Sequence, residues 1–195
     1  SDKYKMKTRD DFTVFTKDEY LANGAYGSIY SGTFGPPGPT QLKIAIKMNM
    51  SGNLSADAKE MKVHADLFCG VRERGFAVVR RLNLDPAKIG KIPKPLFAAR
   101  VGKGKGAIGM EALDTTLIKY VAAAEKPVHT LVDCLKQLAS LLYMLQDMFH
   151  FMHGDLHGSN VMVRGRTVYL IDFGMSSFGA ATAKEGRTVT DERYA

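Results

Sequence analysis

Cysteine is scarce, tryptophan is absent, and acidic residues are outnumbered. The 195 residues hold two cysteines, Cys69 and Cys134, and no Trp. Two distant thiols cannot build a disulfide framework, and no Cys-x-x-Cys pair is available for zinc. Both lie in apolar sequence and read as reduced, buried thiols of an intracellular protein. No apolar run approaches the roughly 18 residues a membrane span requires. The opening Ser1-Asp2-Lys3-Tyr4-Lys5 is polar and mixed in charge, unlike a secretory signal. The expectation is a soluble chain in a cytoplasm. No internal repeat or long low-complexity tract is visible, and a 45% apolar content argues against disorder.

Lys and Arg number 27 against 20 Asp and Glu, a formal charge of +7. The excess is concentrated. Arg72, Arg74, Arg80, Arg81, Lys88, Lys91, Lys94, Arg100, Lys103 and Lys105 face only Glu73 and Asp85 in the same stretch. Such a stretch is either a solvated face or a surface for an acidic partner. Phe76 and Phe97 are its only aromatics, too few for a base-stacking platform, so nucleic acid is not the expected partner.

The first hundred residues read mainly as strands. Glu19 to Leu21 leads into Asn23-Gly24-Ala25-Tyr26-Gly27, and Ser28 to Phe34 alternates with period two. Pro36, Pro37 and Pro39 then force a loop, and Leu42 to Met48 is a second alternating run. A helix is predicted from Ser55, as its cap, to about Arg74, with Ala58, Met61, Ala65 and Phe68 at helical spacing. Pro95 to Val101 and Ala107 to Leu113 form a hairpin about Gly102-Lys103-Gly104-Lys105-Gly106, which lacks the Gly-Lys-Ser/Thr ending of a P-loop.

Beyond residue 114 the period becomes helical. Thr116 to Ala124 is a short helix. Thr130 caps a long one, with Leu131, Leu135, Leu138, Leu142, Leu145 and Phe149 as its core stripe. Two short strands follow, Val161 to Val163 and Val168 to Ile171, turning at Arg164-Gly165-Arg166. The fold class is therefore α+β, with a strand-rich part meeting a helical part near residue 113.

The chemistry concentrates in His153-Gly154-Asp155-Leu156-His157-Gly158-Ser159-Asn160 and in Asp172-Phe173-Gly174. A polar loop carrying Asp and Asn, with a hairpin returning a second Asp, suits phosphoryl transfer. One carboxylate takes the proton of an attacking hydroxyl, while hard oxygen donors suit Mg²⁺.

These residues resemble the eukaryotic-type protein kinases, whose catalytic loop is H-R-D-x-x-x-x-N followed by D-F-G. The resemblance implies a two-lobed fold, with 1–113 as a β-rich nucleotide-binding lobe and 114–195 as a reduced helical lobe. It implies ATP and Mg²⁺ as cofactors, Asp155 as catalytic base, and Asn160 and Asp172 as metal ligands. Asn23 to Tyr30 looks like the loop over the ATP phosphates, placing Leu21, Gly24, Ala25, Tyr26, Gly27 and Ile29 against nucleotide. Ala45-Ile46-Lys47 is similar to the strand whose lysine reaches the α- and β-phosphates, and Glu60 is its expected partner. Met110-Glu111-Ala112-Leu113 looks like the hinge, with adenine on backbone near Glu111 and Leu113. The resemblance covers residues 19–178 and implies transfer of the γ-phosphoryl group of ATP to a Ser/Thr hydroxyl of a protein.

The departures are specific. Ala22 stands at the usual first glycine. Gly154 replaces the arginine that pairs with a phosphorylated activation loop, which implies a kinase either always on or gated by a partner. His157 stands where protein kinases place a lysine and is a third catalytic candidate, its charge dependent on pH. The stretch His-Gly-Asp-Leu-His also resembles kinase-fold phosphotransferases for small molecules. Only 21 residues follow Gly174, with no Ala-Pro-Glu element and no later docking helices. That leaves a kinase-fold binding module as a further reading. Ser176, Ser177, Thr182, Thr188 and Thr190 are expected in a mobile tail as possible phosphorylation sites.

Overall fold

The computed structural model describes residues 2–7, 12–24, 27–49, 53–101 and 105–179. Ala25, Tyr26, the turn at 102–104 and Thr182, Thr188 and Thr190 lie outside the described residues. The fold is α+β and compatible with a kinase-like two-lobed arrangement.

Six antiparallel strands come first: β1 (Asp2–Lys7), β2 (Phe12–Gly24), β3 (Gly27–Phe34), β4 (Leu42–Asn49), β5 (Pro95–Val101) and β6 (Lys105–Glu111). Their order is β1-β2-β3-β4-β6-β5. β1 and the first half of β2 precede the strand run read from the sequence. Alternation along β4 decides the site. Ile44, Ile46 and Met48 pack with Phe15, Phe97 and Val101 on one face. Ala45, Lys47 and Asn49 therefore point to the other.

Between β4 and β5 runs α1 (Leu54–Arg81), longer than predicted at both ends. Asn53, not Ser55, caps it, its side-chain oxygen accepting from the Ala56 amide. Asp57 in the first turn and Arg80 and Arg81 in the last complement the helix dipole. The helix carries Gly70 where it packs closely on α3. A Cβ on Gly70 would stand 2.5 Å from the Phe149 ring.

The remaining elements are β7 (Thr115–Thr116), α2 (Leu117–Ala122), α3 (Pro127–Phe149), β8 (Val161–Arg164) and β9 (Thr167–Leu170), with β7, β8 and β9 forming a three-stranded sheet. α3 starts at Pro127 and has no side-chain cap, so Thr130 is not its boundary. Its core face is Cys134, Leu138, Leu141, Met144, Leu145, Met148 and Phe149. Leu131 and Leu135, expected in the stripe, are exposed, and Leu142 is partly buried. Val63 and Leu67 of α1 join the α3 residues, Leu170 and Phe173 in one core.

Three further expectations are corrected. Cys69 is exposed on α1 and only Cys134 is buried. Ser176 is buried and donates its hydroxyl to the His153 carbonyl at 3.1 Å. Ser177 bridges to Met152 through both backbone groups. Both serines thus belong to packed structure instead of a mobile tail. The basic residues from Arg72 to Lys105 that are described are all exposed. Several are locally engaged: Arg81 pairs with Asp147, Lys88 with Asp85, and Arg80 lies over Phe76. No helix among the described residues is long and apolar enough to cross a membrane.

Candidate active site

Lys47 sits at the centre, 2% exposed. Its ammonium donates to Glu60 Oε1 of α1 at 2.7 Å and to Asp172 Oδ1 at 2.6 Å. Burial pulls the Lys47 pKa down, but the two carboxylates outweigh it and hold the ammonium above its ordinary value. Burial pushes the Glu60 carboxyl up, with Lys47 pulling back. Asp172 adopts φ +66 just after β9, which turns its carboxylate out of the strand direction toward Lys47. So three residues far apart in sequence converge as the motif spacing required.

Asp155 lies in the loop that follows α3, whose last residue before that loop, His150, is left-handed at φ +49. The Asn160 amide nitrogen donates to the Asp155 carbonyl at 2.8 Å and to Asp155 Oδ2 at 3.3 Å. The Asn160 amide oxygen takes no part in that contact. His157 Nδ1 accepts from the Ser159 amide at 3.3 Å, so the neutral ring carries its proton on Nε2. That nitrogen stands 3.6 Å from Asp155 Oδ2.

Behind the loop, His153 Nε2 donates to the Ile171 carbonyl at 2.9 Å. Burial lowers the His153 pKa, so this ring is held neutral. His153, Phe173 and His64 of α1 form a run of ring contacts, with centroids 5.8 Å and 5.0 Å apart. His64 was not picked out in the sequence. Its Nε2 donates to the Pro93 carbonyl at 2.6 Å, and burial first, then Lys47, lowers its pKa to about 4. A buried base with a depressed pKa stabilises the fold fully above its unfolded value, and that contribution is lost as pH falls. Stability should therefore drop by about 3 kcal/mol between pH 6.5 and pH 4 through this one ring. Denaturant melts across that range should show the slope, and His64→Leu should flatten it.

The expected nucleotide residues also gather. Leu21, Ile29, Ala45, Met110 and Leu113 share one apolar cluster with Ala22, Ile108, Met162, Tyr169 and Ile171. Met162 and Ile171 were missed, although the alternation of β8 turns Met162 away from Val161 and Val163. Ala22 belongs to the cluster, which gives its methyl a packing role. Gly24 of β2 pairs with Gly27 of β3, so the two glycines face each other at the ends of their strands. The Glu111 carboxylate accepts from the Lys94 amide at 2.7 Å and from Arg164 at 2.9 Å, and its own amide donates to the Lys94 carbonyl. At the edge of the cluster, Lys119 of α2 donates to the Leu21 carbonyl at 2.9 Å.

Gly154 has a structural cause. Its φ is +77, and a Cβ there would stand 2.2 Å from the Met175 carbonyl oxygen. Gly154→Arg, which restores the protein-kinase residue, should destabilise the chain by about 1–3 kcal/mol. Thermal melting should register a fall of several degrees, roughly 2–4 °C per kcal/mol.

Residues 105–183 match the phosphotransferase enzyme family, APH. The match runs from β6 through the catalytic loop to just beyond Asp172-Phe173-Gly174, and the family is part of the protein-kinase-like superfamily. It supports an enzyme of kinase fold that transfers phosphate. No curated protein matches the chain.

Proposed function

We propose that the chain is an ATP-dependent phosphotransferase that moves the γ-phosphoryl group to a Ser/Thr hydroxyl of a protein. The carrying observation is the buried Lys47 held between Glu60 and Asp172, with Asp155 and Asn160 tied together in the neighbouring loop. In this reading the adenine lies against the cluster of Ala45, Met110, Leu113 and Met162. Lys47, oriented by Glu60, meets the α- and β-phosphates. Asp155 accepts the proton of the acceptor hydroxyl, and the Nε2–H of His157 faces the transferred group beside it.

The Asp172 carboxylate and the Asn160 amide oxygen are hard donors of the type that hold Mg²⁺. When bound, the ion would neutralise phosphate charge. The residues fit because the Asn160 nitrogen is already spent on Asp155.

The acceptor is read as a protein because the surface beside Asp155 is open. Leu156, Met175 and Met152 are 45%, 54% and 64% exposed. Small-molecule sites usually bury most of their ligand, whereas these side chains stand in solvent. A small-molecule acceptor is the second reading, favoured by the phosphotransferase match over this same loop.

Melting curves with ATP, with Mg²⁺ and with both test the nucleotide side by mass action. A shift that needs both supports the reading. No shift at saturating MgATP sinks it. Labelling from γ-labelled ATP then separates the acceptors: transfer to generic protein substrates supports the first reading, and transfer only to small hydroxyl compounds supports the second.

A further inference from the structure

A second buried polar pair lies beside the first. Asn49 follows Lys47 by two residues on β4, so both side chains face α1. Asp57 precedes Glu60 by three residues on α1, so both face β4. The Asn49 amide nitrogen donates to Asp57 Oδ1 at 2.6 Å, and the residues are 3% and 7% exposed. One helical turn and one strand repeat thus carry two polar contacts in register, Asn49–Asp57 and Lys47–Glu60.

This pair is kept despite a burden. Asn49 Oδ1 and Asp57 Oδ2 are buried without a hydrogen-bond partner, and such groups in a native structure call for a reason. The sheet makes room for them. Asn49 stands between Gly27 of β3 and Gly106 of β6 in the strand register. A Cβ on Gly106 would lie 1.8 Å from Asp57 Oδ2, and one on Gly27 would lie 2.8 Å from Asn49 Oδ1. A single contact lets a helix pivot on a strand, whereas two contacts one turn apart fix its register.

We propose that Asn49–Asp57 is a positioning pair that pins the start of α1 to β4 and thereby holds Glu60 on Lys47. The assignment rests on the phosphotransfer reading for its consequence, but not for its geometry. It also joins the glycine hairpin to α1, since Gly27 abuts Asn49. A side chain placed at either glycine displaces the pair.

The test compares wild type, Asp57→Ala, Asp57→Asn, Gly106→Ala, Glu60→Ala and the Asp57→Ala/Glu60→Ala double variant, each first checked for folding by its melting curve. Turnover and KM for ATP are read from γ-labelled ATP and a generic protein substrate. Asp57→Ala and Gly106→Ala should lower kcat by about tenfold, while Asp57→Asn, which keeps an oxygen for the Asn49 amide, should recover most of it. In the Glu60→Ala background, Asp57→Ala should lower kcat by no more than about twofold, because it acts through Glu60. A full tenfold further loss there, or an Asp57→Asn variant as poor as Asp57→Ala, overturns the proposal. A crystal structure of Asp57→Ala reads the same claim without turnover. Separation of Lys47 from Glu60 with the Asp172 contact kept supports it, and an unchanged Lys47–Glu60 contact overturns it. An inactive wild type would refute the phosphotransfer reading alone.

Discussion

Lys47→Met should lower stability by about 3–5 kcal/mol, because it strips the cation that both buried carboxylates share among the described residues. Glu60 and Asp172 each accept from the Lys47 ammonium, and all three side chains are nearly inaccessible to water. With the lysine gone, burial already favours a protonated Glu60, and the nearby Asp172 charge adds to that pressure. Phosphoryl transfer should fall by about 10²–10³-fold as well, since a charge aimed at the phosphates is lost. A compensating Glu60→Leu separates the two effects. The double variant should regain much of the melting temperature and none of the transfer rate. If Lys47→Met melts like the wild type, the buried triad does not exist in solution.

Asp155→Asn should leave the MgATP melting shift in place and lower transfer by about 10²–10⁴-fold, the usual contribution of a positioned base. The substitution preserves shape and the oxygen that meets the Asn160 amide, so the loop should hold. Single-turnover labelling is the measurement, because it isolates the chemical step from product release. A rate equal to wild type would remove Asp155 from the mechanism.

The Lys47–Glu60 contact was legible because the motif order puts the strand lysine and the helix acid in successive elements. Lys47 on an alternating strand, Glu60 on the next helix and Asp172 after a short hairpin can meet only in a fold of this kind, and they do. Faces were harder. The leucine pattern of α3 caught Leu138, Leu145 and Phe149, which are buried, but also took in Leu131 and Leu135, which are exposed. Cys134, Met144 and Met148 fill the rest of the buried face, and counting leucines passes over them. Asp57 and His64 were missed because a lone acid or histidine on a helix looks like surface until its partner is known. Their partners, Asn49 and the Pro93 carbonyl, are 8 and 29 residues away. Gly154 was read as the loss of an arginine, whereas its positive φ and the Met175 carbonyl make glycine the residue the loop needs.

The Lys119 contact with the Leu21 carbonyl has a kinetic side. It links the helical part to the strand that enters the glycine hairpin, and it is exposed. An exposed hydrogen bond of this type adds little stability, on the order of 1 kcal/mol. Parting the strand from the helix at this point therefore costs one exposed contact, while the Lys47–Glu60–Asp172 contacts stay buried. In the phosphotransfer reading proposed above, nucleotide exchange would open this contact first and leave the buried triad undisturbed.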